Sequence, residues 1–260
     1  MKLIIPIEFY VKGGVERVIM SLTEEFSQRL DQVILVLPPK EVAYFQQILP
    51  PAPALVYETF TWEPTAWQSK ALGAIARLQG VAKRLHWKGL EQWLAERSRR
   101  FKSQYRVAHL AQRYGATHCL YFLTNRIVPP TLNIPLAMLA HDVFWRFAPL
   151  TYPADYIQEY DRQLLQWAQQ ADIVFTNSAK TRADILSIFP QFAAKSTAIP
   201  LASSMPSSRL EPREPRTNAT PVFYFPSTFG IYKDHLTLLQ AAVILAERNV
   251  EFKVVLIGKG

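Results

Sequence analysis

Two adjacent glycines, Gly13 and Gly14, stand between the apolar run "LIIPI" and a segment whose apolar residues recur at helical spacing. A strand, a glycine turn and a helix N-terminus together make a place for an anion. The first amides of a helix lack intrahelical partners, and the helix dipole adds partial positive charge there. Without a Cβ, an oxyanion can come close to the main chain. A purely conformational role for the pair remains open, and its spacing is neither G-x-G-x-x-G nor a P-loop. Beyond the glycines, Glu16 favours the helix N-terminus and Arg17 is placed to meet an anionic group. A second pair, His141–Asp142, directly follows the apolar run "IPLAMLA". Ligands of open α/β sheets bind outside the carboxyl ends of the strands, so this pair and the glycines can share one crevice. The local alternative is a turn histidine satisfied by Asp142. Ser178 caps a helix, or offers its hydroxyl to a ligand.

Other reactive residue types exclude more than they suggest. Cys119 is the single cysteine of 260 residues, which rules out an internal disulfide framework and every multi-cysteine zinc site. It lies in the apolar run "THCLYFL" and reads as a buried, inert thiol. His86, His109 and His118 share no metal-ligand spacing, and no G-x-S-x-G elbow is present. The N-terminus is too short in apolar residues for a secretory signal. No run of about 18 apolar residues occurs to span a bilayer. These features together predict a cytoplasmic protein.

The elements that would hold these residues alternate. "LIIPI" (3–7), "QVILVL" (32–37), "THCLYFL" (117–123), "PLAMLA" (135–140) and "DIVFTN" (172–177) read as buried strands. Helical patterns separate them: Val15, Val18, Ile19, Leu22 and Phe26; then Tyr156, Tyr160, Leu164, Trp167 and Ala168; then a helix opened by Ser178 and ended by Pro190. Such alternation predicts an α/β fold with a doubly wound parallel sheet. The Pro- and Ser-rich run 203–221 reads as a linker between domains 1–202 and 222–260. The latter offers a strand, "VFYFP", a helix from about 233 to 249 and the strand "FKVVLIGKG", too little for a self-sufficient core.

Five stretches, "GGVERVIMSL", "LAHDVFWRFAP", "ADIVFTNSAKTRADIL", "STAIPLA" and "FPSTFGIYKDHLTLLQAAVIL", stand in the order in which glycosyltransferase family 4 carries its motifs. The resemblance extends from Leu3 to Gly260 and is greatest to the mannosyl- and rhamnosyltransferase-like members. It implies a GT-B fold, with an N-terminal Rossmann-like domain and the beginning of a second one. It also implies a retaining hexosyltransferase that uses an NDP-sugar as co-substrate, a saccharide or lipid-linked acceptor, and no cofactor or essential metal. Gly13 and Gly14 match the family's glycine loop beside the donor phosphate. His141 matches the histidine that holds the transferring sugar, and Lys233 matches the cation that neutralises the diphosphate leaving group. Such neutralisation is what departure of a phosphate requires. Where relatives carry a G-R pair, this chain has Ser227 and Thr228, hydroxyls in place of a bidentate guanidinium. Arg17, Asp142 and Ser178 become acceptor-side candidates. The family's two donor-binding glutamates would fall beyond Gly260, so the resemblance implies a C-terminally truncated, inactive transferase.

Charge is the last sequence signal. The chain carries a net +8, yet the segment from Gln68 to Arg113 holds eleven Lys/Arg against Glu91 and Glu96. This helical insertion (about 67–113) interleaves tryptophans with cations, and Lys83, Arg84, Trp87, Lys88 and Trp93 are its membrane-contact candidates. Several resembling transferases dock on membranes, which would place this protein at the inner face of the plasma membrane. Two other readings stand beside that one. The first is a helical hairpin packing its apolar stripe (Ile75, Leu78, Val81, Leu85) on the sheet. The second is a nucleic-acid-binding surface, for which no recognition motif is present. A non-catalytic membrane-binding or scaffold module derived from the same fold is the alternative to an enzyme.

Overall fold

The computed structural model describes residues 1–8, 13–60, 64–122, 129–147, 152–202 and 220–258. Most of the expected 203–221 linker, Leu123 of the "THCLYFL" run and the chain's last two residues lie outside the described residues. The chain divides into two compact units: Met1–Val143 with Gln158–Ala202, and Phe144–Ile157 with Ser203–Gly260.

The first unit is built on seven parallel strands: β1 (Lys2–Pro6), β2 (Gln32–Leu37), β3 (Leu55–Thr59), β4 (His118–Phe122), β5 (Leu136–Ala140), β6 (Ile173–Thr176) and β7 (Ser196–Ala198). Their order is β3-β2-β1-β4-β5-β6-β7, so the winding reverses between β1 and β4. The central strands carry continuous apolar runs because both faces are covered, and Ile4, Ile5, Ile34, Leu35 and Met138 have no appreciable exposure. Helix α1 (Gly14–Arg29) packs Val18 and Ile19 into that core. Helix α2 (Pro39–Ile48), opened by a proline at its first turn, adds Phe45.

Helices α3 (Ala66–Arg84) and α4 (Lys88–Tyr114) form a hairpin turned at Leu85–Trp87, with His86 at φ 56°. Thr65 and Gln68 open α3 as a capping box, and left-handed Gly115 closes α4. Helix α5 (Phe144–Phe147) and the start of α6 (Ala154–Gln170) belong to the second unit, while the rest of α6 buries Leu164 and Trp167 in the first. Helix α7 (Ala179–Ile188) and a 3-10 turn (Pro190–Lys195) complete the first unit. The second unit pairs β8 (Val222–Pro226) in parallel with β9 (Lys253–Ile257) through α8 (His235–Glu247).

The expected strand–helix alternation is present. Two strands and two helices, α2 and the four-residue α5, carry no signature in the sequence reading. β3 and β7 lie at the sheet's two edges, where half-burial leaves a mixed pattern such as "LVYET". Helix α2 begins with two prolines, which read locally as a loop.

Candidate functional site

The glycine turn, Glu8 and the β5–α5 connection all lie beyond carboxyl ends of the sheet. Gly13 is the N-cap of α1 with φ 138° and ψ −143°, a conformation that only glycine adopts without strain. Gly14 is different. It has ordinary helical geometry, and a Cβ built on it would meet no described atom within 4 Å. The fold therefore requires the first glycine and leaves the second unexplained. The Gly13 amide is not an empty donor, because the Glu16 carboxylate accepts from it at 3.2 Å. Glu16 is buried, and its other oxygen accepts from the Tyr44 hydroxyl. The helix end thus carries its own negative charge, and Gly14 and Val15 supply the amides that have no intrahelical partner. Arg17 faces solvent.

His141 follows β5, two strands from β1 across the switch point, about 10 Å by sheet spacing. Its ring stacks over Phe122 at the end of β4, with centroids 6.2 Å apart and planes 17° from parallel. The Nε2 atom is buried and has no hydrogen-bond partner among the described residues. Burial lowers the imidazole pKa below its ordinary value, and the nearby Asp142 charge opposes that shift without cancelling it. The ring is therefore held neutral. Asp142 itself is exposed.

The main chain at His141 is tied to the neighbouring strand. The Thr181 hydroxyl, in the first turn of α7, lies 3.3 Å from the His141 carbonyl and 3.0 Å from Asn177 Oδ1. Ser178 caps α7 by accepting from the Thr181 amide at 3.0 Å, and its hydroxyl donates to Thr181 Oγ1. Capping therefore accounts for Ser178 fully. Thr181, read from the sequence only as part of the helix that Ser178 opens, is the residue that joins β6–α7 to the histidine. The sequence signal for it was present in "NSAKT", a cap whose N3 residue is itself a hydroxyl.

In the second unit Ser227 and Thr228 follow β8, and Lys233 ends a 3-10 turn just before α8. Lys233 Nζ lies 4.9 Å from the Tyr232 ring centroid. Asp234, in left-handed conformation, caps α8 by accepting from the Thr237 amide at 3.3 Å. A Cβ at Gly258 would stand 1.8 Å from the Ser227 carbonyl oxygen, so β9 can end beside Ser227 only with glycine there. That requirement, too, escaped the sequence reading. The membrane-contact candidates Lys83, Arg84, Trp87, Lys88 and Trp93 are all exposed around the hairpin turn. Tyr121 and Cys119 are buried in the core, where burial pushes both well above their usual pKa values. Among the described residues no three His, Cys, Asp or Glu side chains gather as metal ligands, and no helix is long and apolar enough to cross a membrane.

No protein-family profile and no curated protein matches the sequence. Solved structures do. The lipopolysaccharide outer core galactosyltransferase WaaB, in its apo form, aligns with a TM-score of 0.51 at 9% identity, over 100% of this chain and 68% of that one. The UDP-GlcNAc 2-epimerase of Methanocaldococcus jannaschii aligns at 0.47 and 10% identity, over 98% of this chain. Arabidopsis thaliana UGT89C1, complexed with UDP-L-rhamnose, aligns at 0.48 and 13% identity, over 100% of this chain. The chain spans 65% of the epimerase and 69% of UGT89C1. At such identities the likeness to WaaB establishes the fold alone. The chain has a glycosyltransferase-like α/β fold of GT-B type, a Rossmann-like parallel sheet followed by a second βαβ unit.

Proposed function

We propose that this chain is a glycosyltransferase of family-4 type that moves a hexosyl group from a nucleoside-diphosphate sugar to a saccharide or lipid-linked acceptor. The observation that carries the reading is the unpartnered Nε2 of His141 at the carboxyl end of β5, two strands from the glycine turn. A neutral imidazole fixed by a Phe122 stack and a Thr181 contact is suited to accept from, or donate to, a sugar hydroxyl.

In this mechanism the leaving diphosphate gathers charge as the glycosyl–oxygen bond breaks. The first unit offers such charge the Gly14 and Val15 amides; the second unit, by itself, offers the Ser227 and Thr228 hydroxyls and the Lys233 ammonium. His141 orients the transferring sugar. In this reading Arg17 and Asp142 serve the acceptor, while Ser178 serves the α7 cap. Retention of anomeric configuration and independence from metal or cofactor follow from the family resemblance. Among the described residues the second unit carries one βαβ unit, β8, α8 and β9.

Saturation-transfer NMR against UDP, UDP-glucose, GDP-mannose and dTDP-rhamnose tests this, since it reads millimolar affinities. At least one nucleotide sugar should give stronger sugar-proton transfer with the native chain than with His141→Ala. Lys233→Ala should weaken every nucleotide. Equal spectra for all three proteins would refute the assignment.

A further inference from the structure

The α3–α4 hairpin does not pack the stripe expected of it. The face of α3 turned toward the protein carries Gln68, Leu72, Ile75, Gln79 and Ala82. Of the expected stripe only Ile75 is on that side. Leu78, Val81 and Leu85 are 57%, 50% and 51% exposed. With Trp67 and Ala74 they form one row along the helix, each three, four or seven residues from the next. Trp67 is pinned edge-on by Phe101 and Tyr105 and is still half exposed. Lys70, Arg77 and Arg84 recur at intervals of seven, about 60–120° around the helix from Leu78 and Leu85. Cations therefore run as a rail beside the apolar row for the whole length of α3. At the turn Trp87, Leu90 and Trp93 extend the apolar surface, and Arg97 lies over the Trp93 ring at 5.6 Å.

We infer that α3 lies flat in the headgroup layer of an anionic membrane along its Trp67–Leu78–Val81–Leu85 face. The Lys70–Arg77–Arg84 rail would sit at the phosphates, and Trp87 and Trp93 would anchor the turn. Charge selects this occupant. Between Thr65 and Leu90 there are five Lys/Arg and no carboxylate. A second copy would bring the same cations against this rail. An apolar protein groove would leave the rail unmatched. An interfacial helix has this arrangement, an apolar face with basic flanks and tryptophans at headgroup level. The surface is independent of the transferase reading, although it would bring a lipid-linked acceptor within reach of the first unit.

The test is cosedimentation of the whole chain with vesicles of phosphatidylcholine, with and without about 30% phosphatidylglycerol. The native protein should bind the anionic vesicles, bind neutral ones poorly, and be released by salt. The triple variant Lys70→Gln, Arg77→Gln, Arg84→Gln should lose about fivefold per cation, on the order of a hundredfold together. Leu78→Ser with Val81→Ser should abolish the fraction that resists high salt. A control triple with the same charge change elsewhere, Arg29→Gln, Lys40→Gln, Arg248→Gln, should stay within about twofold, since these lie off the α3 row. All of these side chains are exposed, and circular dichroism checks that each variant is folded. The inference is overturned by equal binding to both vesicles, by equal loss in the control triple, or by no vesicle binding. Self-association or oligonucleotide retention that vanishes with the rail, in the absence of vesicle binding, would overturn it as well. Nucleotide-sugar binding is read separately and is unaffected by any of these outcomes.

Discussion

Alanine at each glycine of the "GG" turn separates the fold's need for that turn from a ligand's. Gly13 has φ 138° and ψ −143°, so Gly13→Ala forces an L-residue into a region it scarcely populates. The cost is about 1–3 kcal/mol, whatever the space around the new methyl. Gly14 is the first residue of α1, with open space where its Cβ would stand. There alanine restricts the unfolded chain and favours the helix, a gain of up to about 1 kcal/mol. At about 2–4 °C per kcal/mol for a chain of this size, Gly14→Ala should raise the midpoint by up to about 4 °C. Gly13→Ala should lower it by several degrees. Thermal unfolding followed by circular dichroism gives both shifts, and saturation-transfer NMR on the same samples reads nucleotide-sugar binding. If phosphate comes against the main chain at this turn, Gly14→Ala will be more stable and bind less. A destabilised Gly14→Ala would refute the described start of α1. A stabilised variant that binds as well as the native chain would refute the phosphate approach.

Two further outcomes follow from neighbouring groups. Burial keeps the folded His141 pKa below its unfolded value, so in the window beneath about 6.5 the unfolded state takes up the proton first. The native state should therefore lose stability relative to a His141→Gln variant as pH falls through that window, and hold constant above it. Urea unfolding of both proteins at pH 8 and pH 5 reads the difference, and an equal gap at the two values would count against a buried imidazole. Ser178→Ala removes the α7 cap and a partner of the Thr181 hydroxyl, which should cost about 1 kcal/mol. It should also shift the amide resonance of Asp142, which shares a peptide group with the His141 carbonyl, whereas an unchanged signal there would show that the tie does not hold the histidine.

The central sheet was readable because doubly covered strands leave unbroken apolar runs, as in "QVILVL" and "PLAMLA". The edges were not, since β3 and β7 are covered less and their residues alternate without a clear period. The hairpin shows where periodicity misleads. Ile75, Leu78, Val81 and Leu85 recur at helical spacing, yet Ile75 faces the protein and the other three face solvent, because spacing alone does not fix a face. The protein side of α3 is instead lined by Gln68, Gln79 and Ala82 along with Leu72 and Ile75. At the site, strand ends and glycines located His141 and the α1 turn. The Glu16–Tyr44 and Thr181–His141 contacts join residues 28 and 40 positions apart, which no local pattern encodes.

The N-termini of α1 and α8 each already hold a carboxylate. Glu16 takes the Gly13 amide at α1, and Asp234 takes the Thr237 amide at α8. A cap of this kind stabilises the helix and spends part of the positive field that a ligand would use. A phosphate at α1 would then gain less from the helix dipole than from close approach at Gly14. This makes Glu16 informative in its own right. Glu16→Gln keeps an acceptor oxygen for Gly13 while removing the negative charge beside the turn. If phosphate binds there, the substitution should tighten nucleotide binding even as it loosens the start of α1. If Glu16 serves only the helix, stability alone should change.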